Sequence, residues 1–162
     1  MVLYFAPWCP NWQYEAPVAQ RLYEKYKKDG FEIIGVSEYG TTDDVKKGLI
    51  DLKVTFPVVV ESDSKTLKEK TTHYDYRKLT GDTRNWGSPW NIFIEPSLVK
   101  KDGDVIATKS SVVNGELIEA DVEFFIRTKL GLAPEDKKTA SATDTKKTEV
   151  CEDKPLSNLV KP

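Results

Sequence analysis

The stretch YFAPWCPNWQYEAP, residues 4–17, sets a cysteine between two tryptophans where a strand should hand over to a helix. Before it, residues 2–6 form an apolar, β-prone run too short for a helix and halted by Pro7, the pattern of a strand buried on both faces. After it, from Pro10 to Lys28, Tyr14, Val18, Leu22, Tyr23 and Tyr26 recur at spacings of three and four, and Gly30 follows the end. Cys9 is therefore expected at the start of a long amphipathic helix. First-turn N–H groups and the helix dipole favour an anion there, so the thiolate should be stabilised and the thiol pKa should fall below about 8.5. Pro7 and Trp8 stiffen the approach, Trp8 shields one side of the sulfur, and Pro10 removes an N–H that a helix start does not need.

The pattern continues in alternation. Phe31–Ser37 reads as a second strand, and the TTDD run at 41–44 offers N-caps for a short helix through about Leu52. FPVVVE, residues 56–61, reads as a third strand, and 62–87 as a long polar surface excursion. PWNIFIEP, residues 89–96, is a further strand. KKDGD at 100–104 is a turn, with VIATK at 105–109 expected as its hairpin partner. A last helix is expected over 116–130, its stripe formed by Leu117, Ile118, Val122, Phe125 and Ile126 and its end by Gly131. The order β-α-β-α-β then β-β-α describes an α/β domain over residues 1–132, a mixed sheet flanked by helices. Residues 133–162 lack aromatic residues and balance six Lys against six acidic residues, the composition of a disordered tail.

Composition narrows the function classes. Across 162 residues, 24 Lys+Arg against 26 Asp+Glu leave a net charge of −2, without the basic excess that nucleic-acid binding needs. No apolar run approaches the roughly 18–20 residues of a membrane span, and no export signal is visible in the chain as written. The two cysteines, Cys9 and Cys151, allow at most one intramolecular disulfide, so a redox role must rest on Cys9. His73, the one histidine, has no neighbouring ligand pattern, so no metal site and no cofactor is expected, and it reads as a surface residue.

Trp8-Cys9-Pro10-Asn11, between the strand VLYFA and a helix that carries Pro17, resembles the active-site segment of the thioredoxin superfamily. There W-C-x-x-C is followed by a proline eight residues after the first cysteine. GSPWNIFIEP resembles the superfamily's cis-proline strand, which makes Pro89 the cis residue facing Cys9, with Ser88 before it and Trp90 after it. YEKYKKDGFEIIGVS and VTFPVVVES are similar to the TlpA-like, redoxin branch, the thiol-disulfide oxidoreductases related to the AhpC/TSA proteins. The resemblance covers about residues 2–130. It implies a thioredoxin-like fold lacking its N-terminal strand or strands, Cys9 as the attacking sulfur, Ser88, Pro89 and Trp90 at the substrate, protein or small-molecule thiols and disulfides as partners, and an extracytoplasmic location.

Two departures bear on activity. Trp12 stands where the motif's resolving cysteine would be, so a full dithiol cycle cannot run within it. Leu3, six residues before Cys9, stands where many thioredoxins carry a buried acid. The peroxiredoxin pattern P-x-x-x-[ST]-x-x-C is not met either, because Val2 and Ala6 occupy its proline and hydroxyl positions. Two readings stay open. One is a thiol-disulfide oxidoreductase acting as a monothiol through Cys9. The other is a redox-inactive binding module in which Trp8, Trp12, Ser88, Pro89 and Trp90 present an apolar edge to an extended peptide. Tyr74, Tyr76, Trp86 and Trp90 either line a groove near Pro89 or pack inside. Cys151, about 20 flexible residues beyond the core and within a coil span of about 25 Å, is either a resolving thiol or incidental.

Overall fold

The computed structural model describes residues 1–99 and 110–133. Among the described residues the strands and α-helices are, in order, β1 (Val2–Phe5), α1 (Pro10–Tyr26), β2 (Ile34–Ser37), α2 (Thr42–Asp51), β3 (Val58–Val60), α3 (Thr72–Leu79), β4 (Trp90–Phe93), β5 (Ser111–Asn114) and α4 (Glu119–Leu130). The sheet order is β3-β2-β1-β4-β5. β1 pairs in parallel with β2, as β2 does with β3, each pair joined across an intervening helix, whereas β4 runs antiparallel to both β1 and β5. This is the expected mixed sheet with flanking helices, and its central strand delivers the chain into Cys9.

Strand alternation divides the core. Leu3 and Phe5 of β1 join Trp12, Ala16, Ala19, Leu22 and Tyr26 of α1 and Val122 and Ile126 of α4 in the larger cluster. Tyr4, between them in sequence, faces the other way with Val36, Trp90 and Ile92 against Tyr76 of α3. The stripe of α1 is rotated from its expected position. Tyr14 is 68 % exposed, and small alanines sit where the helix meets the sheet. Ile118, expected on the stripe of the last helix, precedes α4 as its N-cap residue and is exposed.

Two further expectations are corrected, those for residues 62–87 and for His73. The 62–87 excursion contains a 3-10 turn over Lys65–Lys70 and the helix α3. Thr71 opens α3, its hydroxyl accepting from the Tyr74 N–H at 3.1 Å. The strand beside β4 is Ser111–Asn114, while the expected partner 105–109 lies outside the described residues, as do residues 134–162. His73 is fully buried, stacked on Tyr4 at 5.0 Å. Among the described residues, no helix is long and apolar enough to cross a membrane.

Candidate functional site

Cys9 is the N-cap of α1, with extended backbone angles (φ −79°, ψ 123°) and Pro10 in the first helical turn. Its N–H donates to the Ala6 carbonyl at 3.0 Å, and its own carbonyl accepts from Trp12 at 3.1 Å, so the turn from strand to helix is closed from both sides. The first turn of α1 carries no acidic side chain, so nothing local offsets the positive end of the helix dipole beneath the sulfur.

Ser88 and Pro89 meet this turn from the other side of the chain. The Ser88–Pro89 bond is cis, as the resemblance implies. Ser88 Oγ accepts from the Ala6 N–H at 2.8 Å, and the Ser88 carbonyl oxygen lies 3.4 Å from Cys9 Sγ. That last contact is a hydrogen bond only when the sulfur carries its proton. Cys9 is disulfide-bonded in this structure and has no solvent exposure.

The tryptophans separate into two groups. Trp12 is 1 % exposed and stacks on Phe5 with ring centroids 3.9 Å apart, so it fills the core beneath the sheet. Trp90 is also buried, edge-on to Tyr4 at 5.6 Å, with its indole N–H donated to Asn114 Oδ1 at 2.8 Å. Both correct the expectation that they present an apolar edge. Their side chains are consumed by packing and have no face left for a peptide. Trp8 does stay at the surface, half-buried. Its indole N–H donates to the Tyr39 carbonyl at 2.8 Å, and its ring meets Trp86 edge-on at 5.3 Å.

The residues missed at the sequence level sit around this frame. Tyr39 adopts φ +60°, a strained angle for a bulky residue, held by the Trp8 bond at its carbonyl and by His73 Nδ1 at 2.9 Å from its hydroxyl. Gly40 packs directly on Pro7, where any Cβ would collide with the proline ring. Lys65 Nζ lies 4.1 Å from the Trp8 ring centroid and 5.3 Å from that of Trp86, while Lys68 Nζ lies 5.0 Å from the Trp86 ring. Of the aromatic cluster proposed near Pro89, Trp86 thus borders the site, while Tyr76 packs inside and Tyr74 carries Lys78 over its ring.

Buried ionisable groups surround the same strand ends. Glu15 of α1 accepts from the Leu117 N–H at 2.9 Å and from Asn91 at 3.3 Å. Burial pushes its pKa up to about 8 despite those bonds. Glu38 and Glu61 follow directly on β2 and β3, so the register that pairs Ser37 with Val60 sets them side by side. Burial, reinforced by the neighbouring Glu61 carboxylate, pushes the Glu38 pKa up to about 10. Burial also raises the pKa of Glu61, but the Glu38 carboxyl beside it and the Thr72 N–H at 2.6 Å outweigh burial, holding that carboxylate below its ordinary range. Burial, aided by the charge of Arg77, lowers His73 to about 3, so its ring is neutral. The periodicity of α1 contained a signal for Glu15, which lies three residues from Trp12 and four from Ala19 on the packed face. Glu38 and His73 gave none, since burial of each depends on partners far along the chain.

A segment of 58 residues is 40 % identical to the thiol-disulfide oxidoreductase ResA of Oceanobacillus iheyensis, over 36 % of this chain and 30 % of that protein. The match thus spans less than a third of that relative's length. A thiol:disulfide interchange protein of the thioredoxin family from Chlorobium tepidum superposes with a TM-score of 0.57 at 22 % identity, over 80 % of this chain and 78 % of that one. A secreted disulfide oxidoreductase of Mycobacterium tuberculosis gives a TM-score of 0.50 at 12 % identity, over 75 % of each chain. These likenesses give the mixed sheet and its helices a thioredoxin-like fold. The AhpC/TSA family model matches residues 1–81, from β1 through the site turn and α3, and the chain belongs to the AhpC/TSA family.

Proposed function

We propose that the protein is a thiol-disulfide oxidoreductase that attacks through Cys9 and, within its helix-start motif, works as a monothiol. The observation that carries this reading is the meeting of the Cys9 sulfur with the Ser88 carbonyl at 3.4 Å, at the head of a helix whose first turn holds no acid. In the reduced protein the helix dipole and first-turn amides would favour the thiolate, the nucleophilic form. The thiolate attacks one sulfur of a substrate disulfide, a Cys9 mixed disulfide forms, and the other substrate sulfur leaves as a thiolate and takes a proton. Ser88 and Pro89 flank that sulfur, Trp8 covers one side, and Pro10 shapes the turn. Trp12 and Trp90 act from within, as packing that holds β1 and β4 in place. Trp12 stands where the resemblance puts the second sulfur, so release must come from a thiol outside the helix start.

Protein or small-molecule thiols and disulfides are the substrates this chemistry takes, and residues 1–132 are the domain that carries it. Resemblance to secreted relatives of this fold favours an extracytoplasmic location. The test is direct. The reduced full-length protein, mixed with 2-hydroxyethyl disulfide, should form an adduct on Cys9, and thiol alkylation followed across pH should give a Cys9 pKa below about 8.5. No adduct, together with a pKa at or above that value, would exclude the reading.

A further inference from the structure

We infer that Arg84 sets the substrate preference of the Cys9 site, its open Nη1 edge taking the carboxylate of a disulfide that carries one a few atoms from its sulfur. The inference rests on the reading of Cys9 as the attacking sulfur and names the chemical class that sulfur would prefer, an anionic disulfide.

Arg84 is built into the loop that ends at the cis proline. Its N–H donates to Asp82 Oδ1 at 3.0 Å and its carbonyl accepts from Arg77 Nη2, so the backbone is held on both sides. Its Nε and Nη2 donate to Asp82 at 3.0 and 2.6 Å, and Nη2 also reaches the Pro89 carbonyl at 3.2 Å. Pro89 adjoins Ser88, whose carbonyl oxygen lies 3.4 Å from Cys9 Sγ. The guanidinium is therefore fixed one residue along the turn from the group that meets the sulfur.

Charge and space suit it to an anion. Arg77 and Arg84 share a single carboxylate, Asp82, so the cluster keeps one positive charge. The neighbouring groups leave that charge uncancelled. Burial keeps Glu15 protonated at neutral pH, His73 is uncharged, and Glu61 is held at the start of α3 by the Thr72 N–H. Burial alone shifts the Glu116 carboxyl, with no cation acting on it. The Arg84 side chain is 29 % exposed, and among the described residues its Nη1 makes no hydrogen bond. Facing Nη1 is Gly115 at φ +119°, where an added Cβ would come 3.7 Å from that nitrogen. The bare glycine leaves room for a carboxylate beside the two Nη1 donors, and a partly screened guanidinium binds a carboxylate more strongly than a neutral group.

The exchange itself is balanced without Arg84. The Cys9 thiolate bonds to one substrate sulfur, the substrate S–S bond breaks, and the other half leaves as a thiolate that takes a proton. Arg84 holds the carboxylate of the half that becomes joined to Cys9. That carboxylate belongs either to a small thiol or to an acidic residue beside a substrate cysteine.

The test mixes the reduced full-length protein with dithiodibutyrate or with its uncharged diamide. Acid quenching and peptide mapping give the initial rate of adduct formation on Cys9. The readout is the ratio of the two rates, divided by the same ratio for 2-mercaptoethanol, so that changes in the sulfur itself cancel. In the natural chain this ratio should favour the dianion about three- to tenfold at about 0.1 M salt. Arg84→Gln should bring it close to one and Arg84→Lys should keep part of it, whereas Lys28→Gln, which removes the same charge beyond the far end of α1, should leave it unchanged. A second arm compares two peptides whose cysteine is disulfide-linked to 2-mercaptoethanol and flanked by Asp or by Asn. A preference for Asp that Arg84→Gln removes draws the carboxylate from peptide substrates, and a preference confined to dithiodibutyrate draws it from small thiols. A ratio of one in the natural chain, or a preference that Arg84→Gln retains, overturns the role of Arg84 and leaves Cys9 as the nucleophile. Absence of any Cys9 adduct with either reagent overturns the reading of Cys9 itself.

Discussion

Trp12 shows at the scale of one residue why the missing sulfur is not a simple vacancy in the motif. Its indole stacks on Phe5 at 3.9 Å and belongs to the main core, so the position now performs packing that a cysteine would leave undone. Trp12→Ala should lower stability by about 3–5 kcal/mol in a denaturant titration. Trp12→Cys, which restores the two-cysteine spacing, should lower it by a comparable amount and so yield a weakened fold before it yields a dithiol enzyme. Tyr39 is a second residue whose conformation is held by the site. Tyr39→Phe removes the hydroxyl that meets His73 at 2.9 Å and Thr71 at 3.2 Å, and should cost about 1–2 kcal/mol. The peptide–Trp8 bond is untouched by that change, so the Trp8 fluorescence of the folded protein should stay close to that of the natural chain.

Among the elements, α3 and the loop that leads from it to β4 hold the site from the far side. Asp82 receives Arg77 Nε at 3.1 Å and Arg84 Nη2 at 2.6 Å, and the side chains of Arg77 and Asp82 are 3 % and 2 % exposed. Burial alone would raise the Asp82 pKa, but the bonds from Arg84 and Arg77 hold it well below the usual carboxylate range. Arg84 also donates to the Pro89 carbonyl at 3.2 Å, so this buried pair braces the loop that sets Ser88 against Cys9. Gly87, at φ +60°, has its missing Cβ filled by the Arg77 guanidinium. Asp82→Asn leaves Arg77 without its countercharge and should cost about 3–5 kcal/mol, with hydrogen exchange speeding first across residues 82–89. The ion pairs that join α1 to α4, Arg21–Glu119 and Lys25–Glu123, are solvent-exposed and should each contribute under about 1 kcal/mol.

For the molecule as a whole, the buried titratable groups set the dependence of stability on pH. Glu15 and Glu38 have folded pKa values of about 8 and about 10 against an ordinary 4.5, so their contributions are fully present below 4.5 and are lost as pH rises through those values. His73 acts in the opposite sense. Lowered from 6.5 to about 3, it contributes stability above 6.5 that is lost as pH falls towards 3. Thermal unfolding should therefore show a maximum at about pH 4.5 and a decline towards pH 9 that steepens once His73 no longer offsets it above about pH 6.5. Glu38→Gln should flatten that decline, gaining about 1–3 kcal/mol at pH 8 and little below about pH 3.5, where the natural carboxyl is protonated in both states. The same division between local and distant causes separates what could be read from the chain. The strand before Cys9, the helix after it, the Thr41 cap of α2 and the Gly131 stop were all legible, because each depends on backbone geometry, period and turn chemistry within a few residues, whereas the cis proline came from the family resemblance. Helix α3 was not, since its inward side chains include His73 and Arg77, which hydrophobic periodicity counts as solvent-facing. By itself, then, the sequence determined the strands and helices on either side of Cys9 and put that cysteine at a helix start. Only the tertiary structure decided that Trp12 belongs to the core, that His73, Glu15 and Glu38 are buried, and that two lysines gather beside Trp8. Burial of a polar group depends on partners that folding alone brings together, as when Glu15 meets the N–H of Leu117, 102 residues away.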